Sequence, residues 1–164
     1  MKNKRYTPLQ IVLLSLIICT LLFIFSQSIL PAEQSAETSD GFSGFLELII
    51  SPNTPFGSFI HINIRKIAHF AEFFALGVFV SLYVSLFLPE IDSELRARVR
   101  FIIYSAVAAP LIALLDETIQ VFSGRGPEIT DVWIDTWGYI TAALIVYGVC
   151  LVSFFVSKKK DKQK

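Results

Sequence analysis

The chain has 164 residues, 54% of them hydrophobic, with a mean hydropathy of +0.62 and no formal net charge. That apolar share exceeds the ordinary soluble range and argues against a water-soluble helical protein. Two cysteines, with no CxxC and no Cys/His zinc spacing, argue against a disulfide framework or a zinc ribbon.

The length bounds the chain at one domain. Four apolar stretches, about 9–30, 67–88, 101–122 and 132–156, approach or exceed the ~18–20 residues a helix needs to cross a bilayer. In lipid every backbone polar group has to be satisfied within the segment, so these are helices. The predicted fold class is all-α, a polytopic transmembrane bundle of four spans.

Zero net charge hides an asymmetry. Lys2, Lys4 and Arg5 precede the first span, and Arg96, Arg98 and Arg100 follow the second. Lys158, Lys159, Lys160, Lys162 and Lys164 form the tail, 157–164. These 11 of the 14 Lys and Arg fall on one side of a four-span chain. The positive-inside rule makes that side the cytoplasm, with both termini there. The other side keeps Arg65, Lys66 and Arg125 together with most of the acids. The tail therefore reads as a cytoplasmic membrane anchor, helped by anionic lipid, and not as a nucleic-acid patch.

In chain order, 1–8 is a short basic arm. The first span is longer than a signal-peptide core and has no clean A-x-A site after it, which predicts a retained helix. Ser26, Gln27 and Ser28 at its outer end suit interfacial hydrogen bonding or a neutral wall of a site. An external linker, 31–64, follows. Its 33–44 segment is polar. Phe42, Phe45, Leu46 and Ile49 at helical spacing predict a short helix over 42–50, lying on the outer leaflet or over a site. The sequence SPNTP at 51–55 ends it. His61 reads as a surface histidine, and Cys19 and Cys150, inside spans, as small core residues.

The second span opens IRKIAHFAEFFALG. Arg65, His69 and Glu72 recur at i, i+4 and i+7, within about a 60° arc of one face. The polar face occupies only the first two turns. A cytoplasmic loop, 89–100, precedes the third span, where Pro110 predicts a kink. Asp116 and Gln120 share a face, with Glu117 about 100° round. SGRGP at 123–127 ends that helix. Thr130 is the predicted N-cap of the fourth span, with Asp131 in its first turn and Asp135 one turn deeper. Trp133, Trp137 and Tyr139 suit an outer aromatic belt.

These blocks, RKIAHFAEFFALG and DETIQVFSGRGPEITDVWIDTWG, resemble the VanZ-like membrane family over roughly residues 11–155. The resemblance implies a small polytopic protein of the bacterial cell membrane. The family takes its name from a member tied to low-level teicoplanin resistance. Lys66, His69 and Glu72 match its first block, Asp116, Glu117, Gln120, Arg125 and Asp131 its second, and Gly138 the glycine after it. There are two departures. Phe73 stands where the family usually has an aromatic hydroxyl, and Asp135 where it commonly has Asn.

Antiparallel neighbours bring three polar helix ends to one outer surface. His69, Glu72, Asp116 and Glu117 are the candidate catalytic groups, and Lys66, Gln120, Arg125, Asp131 and Asp135 the candidate binding groups. The carboxylates outnumber the cations there. Such a cluster shifts some acids towards their protonated form or recruits a cation. No metal spacing is recognisable, no nucleophile motif is present, and no cofactor is assigned. Three readings stand side by side. The cluster is a catalytic site using His or a carboxylate as general base on a lipid headgroup, with Arg125 and Lys66 holding the anion. Or it binds membrane lipid, a lipid-linked envelope precursor or a lipoglycopeptide. Or it is a structural ion-pair network.

Overall fold

The computed structural model describes residues 7–91, 94–126 and 128–161. The basic arm with Lys2, Lys4 and Arg5 lies outside these residues, as do Lys162, Lys164 and Pro127. Six helices follow one another: α1 (Pro8–Ile29), α2 (Ala32–Glu47), α3 (Pro55–Ile62), α4 (Ile64–Ile91), α5 (Glu94–Phe122) and α6 (Ile129–Asp161). Four of them contain segments long and apolar enough to cross a membrane: Pro8–Ile29, Ile64–Leu86, Val99–Phe122 and Ile129–Ser153. The all-α, four-span expectation holds.

Local chemistry explains the helix ends. Thr7 caps α1 in a capping box: its hydroxyl accepts the Gln10 N–H at 3.3 Å, and its own N–H bonds the Gln10 side chain at 2.8 Å. Pro8 takes the first helical position, where no donor is lost. Thr54 caps α3 by a single bond, its hydroxyl accepting the Gly57 N–H at 3.0 Å. α5 ends in a Schellman turn. Gly124 adopts φ +80°, its N–H bonds Val121 O at 3.2 Å, and the Arg125 N–H bonds Gln120 O at 3.1 Å.

α4 and α6 form the most extensive helix pair, and α5 packs against both. α1 packs on α4 and α5. The shared core holds Ile24, Phe73, Leu76, Phe101, Ala109, Ala113, Tyr139 and Ala143. Small residues bring α4 and α6 together. A Cβ on Gly138 would stand 2.5 Å from the Phe70 carbonyl oxygen, and one on Gly77 would stand 2.6 Å from the Tyr139 carbonyl oxygen. Close backbone approach of this kind is the membrane solution to helix packing, since lipid offers no hydrophobic drive between helices. The outward surface is correspondingly apolar, with Leu22, Ile102, Val107, Leu111, Leu144 and Val152 all more than half exposed.

Several expectations give way. The polar stretch read as linker is helical from Ala32, so α2 is a 16-residue helix ending at Glu47 and not a short one over 42–50. The N–H of Ser35 already bonds Pro31 O at 3.0 Å, starting the helix directly after α1. A further helix, α3, precedes α4, which begins at Ile64. α4 runs to Ile91 and α5 starts at Glu94, so most of the 89–100 loop is helix. Tyr139 is 0% exposed in the core, and only Trp133 and Trp137 remain outward. It faces inward because it sits on the α6 side that meets α4 at Gly77. Cys19 and Cys150 lie on the exposed apolar surface. His61 is no free surface residue: it bonds Ser43 Oγ at 2.7 Å and Ile50 O at 3.3 Å, tying α3 to the end of α2.

Candidate functional site

The ends of α1, α4, α5 and α6 that meet here each bring polar groups on a short repeat. α1 contributes Gln27 and Ser28, in its last turn. α4 contributes Arg65, His69 and Glu72, and α5 contributes Asp116, Glu117 and Gln120. α6 contributes Asp131 and Asp135, and the Schellman turn contributes Ser123 and Arg125. Asp116 is 0% exposed and sits at the centre. Ser28 Oγ donates to its Oδ1, and Gln120 Nε2 donates to its Oδ2 at 2.8 Å. Ser123 Oγ donates to Ser28 O at 2.9 Å, fastening the α5 turn to the end of α1.

Arg65 reaches across from α4. Its Nη2 donates to Gln120 Oε1 at 3.3 Å and lies 4.0 Å from Asp131 Oδ2. Arg125 folds back from the turn, with Nη1 donating to Gln27 O at 3.4 Å. Its Nε and Nη2 have no hydrogen-bond partner among the described residues. Burial, and after it the neighbouring Arg65, pulls the Arg125 guanidinium below its ordinary pKa, while Asp116, Glu117 and Asp131 pull the other way. Glu117 serves the backbone: its Oε1 accepts the Glu128 N–H at 2.5 Å, where α6 begins. That contact stands in for the cap predicted at Thr130, which is exposed inside the first turn.

His69 and Asp135 meet differently. His69 Nδ1 stands 3.5 Å from Asp135 Oδ1, beyond a good N–H···O bond, and neither atom has a hydrogen-bond partner among the described residues. Asp135 is 1% exposed. Glu72 lies within electrostatic reach of His69, Asp116 and Asp135.

Beside this cluster a cavity of about 560 Å³ opens between α1, α2 and α4. Arg65, His69, Glu72 and Arg125 form its polar wall, with Phe23, Ile67 and Ala71 among its apolar residues. A second cleft, about 440 Å³, continues along the α1–α4 seam past Leu16, Cys19, Thr20 and Ala75. Phe23, Ala71 and Glu72 line both. From Gln27 to Leu16 the seam runs eleven residues of α1, roughly 16 Å at 1.5 Å per residue.

Of the residues singled out in the sequence, His69, Glu72 and Arg125 face the cavity. Asp116, Glu117, Gln120, Asp131 and Asp135 are buried around it. Lys66 is exposed, and its neighbour Arg65 is the cation that reaches Gln120 and Asp131. The i, i+4, i+7 stripe already favoured Arg65, because Lys66 lies about 100° off that face. Ser28 and the Gln27 carbonyl are the partners from α1, and their signal is a polar Ser-Gln-Ser at the end of an apolar span. The apolar walls carried no signal, since Phe23, Ile67 and Ala71 look like any lipid-facing residues.

No curated protein and no solved structure matches the chain. The family model described as VanZ/LLP1 matches residues 12–154, which takes in every helix end of the polar cluster. With nearly the whole described bundle inside that match, this four-span chain belongs to the VanZ/LLP1 family.

Proposed function

We propose that this protein binds the anionic headgroup of a cell-envelope lipid or lipid-linked precursor at the outer face of the bacterial membrane, and thereby lowers susceptibility to lipoglycopeptides such as teicoplanin. The observation that carries this reading is the shared wall of the two cavities. A chamber holding Arg65 and Arg125 among apolar residues runs, through Phe23, Ala71 and Glu72, into an apolar cleft on the side of the bundle. That is the shape of an amphiphile: two guanidiniums for a phosphate or carboxylate, and a groove for a chain. The chamber's size lies in the range of small-molecule sites. His69 and Glu72 on the same wall offer partners to headgroup hydroxyls or amines.

The outer placement rests on the bias of Lys and Arg towards the opposite ends of the spans. A lipid-tailed glycopeptide works at the outer leaflet, so a protein that holds or shields the lipid there acts at the same place. The test is expression in a susceptible Gram-positive host at equal membrane abundance. Wild type raises the teicoplanin concentration that stops growth, and the Arg65→Gln/Arg125→Gln pair loses that protection. Unchanged susceptibility with wild type rejects the resistance reading. Full protection by the double variant removes the polar chamber from it.

A further inference from the structure

One feature of the cluster goes beyond anion binding. We infer that His69, Asp116 and Asp135 form a site for one divalent transition-metal ion, of the Zn²⁺ or Mn²⁺ kind, beside the chamber, whose wall His69 shares. Each of the three offers a ligand atom, and these atoms all lie within 4.8 Å of one another.

Three observations support the site separately from that grouping. The first is the gap between His69 and Asp135. Two donors each about 2.0–2.2 Å from one ion at a tetrahedral angle stand roughly 3.3–3.6 Å apart. His69 Nδ1 and Asp135 Oδ1 are 3.5 Å apart, too far for a good hydrogen bond and suited to an ion between them. The second is that both atoms are buried and without a hydrogen-bond partner among the described residues, Asp135 at 1% exposure. An unsatisfied buried carboxylate oxygen is costly, and a bound cation removes the cost. The third is Asp116. Ser28 and Gln120 each hold one of its oxygens, which fixes the carboxylate while leaving lone pairs on both for a cation.

Charge points the same way. Among the described residues of this cluster, five carboxyl groups, Glu72, Asp116, Glu117, Asp131 and Asp135, stand beside two guanidiniums, Arg65 and Arg125. A dication offsets the charge of two carboxylates. One imidazole with two carboxylates suits a first-row transition ion better than Mg²⁺ or Ca²⁺, which take oxygen ligands. Three protein ligands also leave room for a further ligand, and His69 lies on the chamber wall where one would enter.

The test uses the full chain in detergent or nanodiscs, stripped with a chelator and titrated with Co²⁺ as a spectroscopic stand-in and with Zn²⁺ and Mn²⁺ by elemental analysis. Wild type takes up one equivalent, with visible Co²⁺ bands that report nitrogen and oxygen ligands. His69→Gln and Asp135→Asn weaken binding at least tenfold. Ser28→Ala weakens it about tenfold, because it frees the Asp116 carboxylate without removing a ligand. Glu33→Gln, at an exposed acid outside the three ligand residues, binds as wild type does. Absence of a stoichiometric ion in folded wild type overturns the inference and leaves His69 and Asp135 as a bare ion pair. So does equal binding by folded His69→Gln and Asp135→Asn. Neither result touches the lipid reading, which is measured by lipid retention.

Discussion

The Glu117 carboxylate accepts the backbone N–H of Glu128 at 2.5 Å, so the last turns of α5 hold the residue from which α6 departs. The charge sits at a helix N-terminus, where backbone donors are orphaned and a negative group is favoured. This gives Glu117 a structural task distinct from those of the residues facing the chamber. Glu117→Ala should lower stability by about 2 kcal/mol, in the range of a hydrogen bond to a charged group. Glu117→Gln, which keeps a carbonyl acceptor, should cost less than half of that. Thermal unfolding in detergent measures both, and hydrogen exchange at the Asp131 and Val132 amides locates the loss. An Ala variant as stable as wild type would remove the capping role.

The α4–α6 seam should be intolerant of a single methyl. Gly138→Ala would drive a Cβ to 2.5 Å from Phe70 O, and Gly77→Ala would drive one to 2.6 Å from Tyr139 O. Both contacts are with backbone, so the helices have to separate. Each change should destabilise by roughly 1–3 kcal/mol, as overpacked sites do. Gly148→Ala, whose Cβ meets nothing within 4 Å, should be neutral or slightly stabilising, because alanine favours the helix. Melting temperatures of the three variants check the order.

The turn that carries Arg125 depends on a left-handed residue. Gly124 has φ +80°, and alanine there should cost about 1 kcal/mol. The same change moves the guanidinium, since the Arg125 N–H is the Schellman donor to Gln120 O. Gly124→Ala should therefore lower both melting temperature and lipid retention. Gly126→Ala, whose Cβ would also stand in open space, should lower neither. Loss of stability without loss of retention would separate the turn from the site.

Helix periodicity made much of this legible in advance. Arg65, His69 and Glu72 on one arc, and Asp116 with Gln120 on another, follow from the residue spacing alone. Four spans follow from apolar length. What was not legible depended on partners. Tyr139 and Trp137 are both aromatic residues near one end of a span, and only packing against α4 sends the first inward and leaves the second out. His61 had no partner in the sequence because Ser43 and Ile50 come to it only when α2 and α3 fold back. The α2 helix was hidden because its 33–44 segment is polar, with little apolar pattern to read. Glu117 looked like its neighbour Asp116, and the difference is that Asp116 meets the side chains of Ser28 and Gln120 whereas Glu117 meets the backbone N–H of Glu128.

Orientation is open to direct test. Reporter fusions after Lys164 and within α2 should fall on opposite sides of the membrane, with the C-terminal one cytoplasmic, as the clustering of Lys and Arg predicts. Reporters on the same side would remove a span, and a C-terminal reporter outside the cell would reverse the placement of the chamber.

The central claim is that the Arg65–Arg125 chamber and its apolar cleft hold an anionic amphiphile. Native mass spectrometry of the gently purified protein, followed by exchange in nanodiscs of defined anionic and zwitterionic lipid, tests it most directly. Wild type should keep one anionic lipid per chain through mild collisional activation. Arg65→Gln/Arg125→Gln should lose it at least tenfold more readily, and a bulky Ala71→Trp in the shared wall should displace it with both arginines intact. Equal retention of zwitterionic and anionic lipid, or unchanged retention in the double arginine variant, would contradict the account.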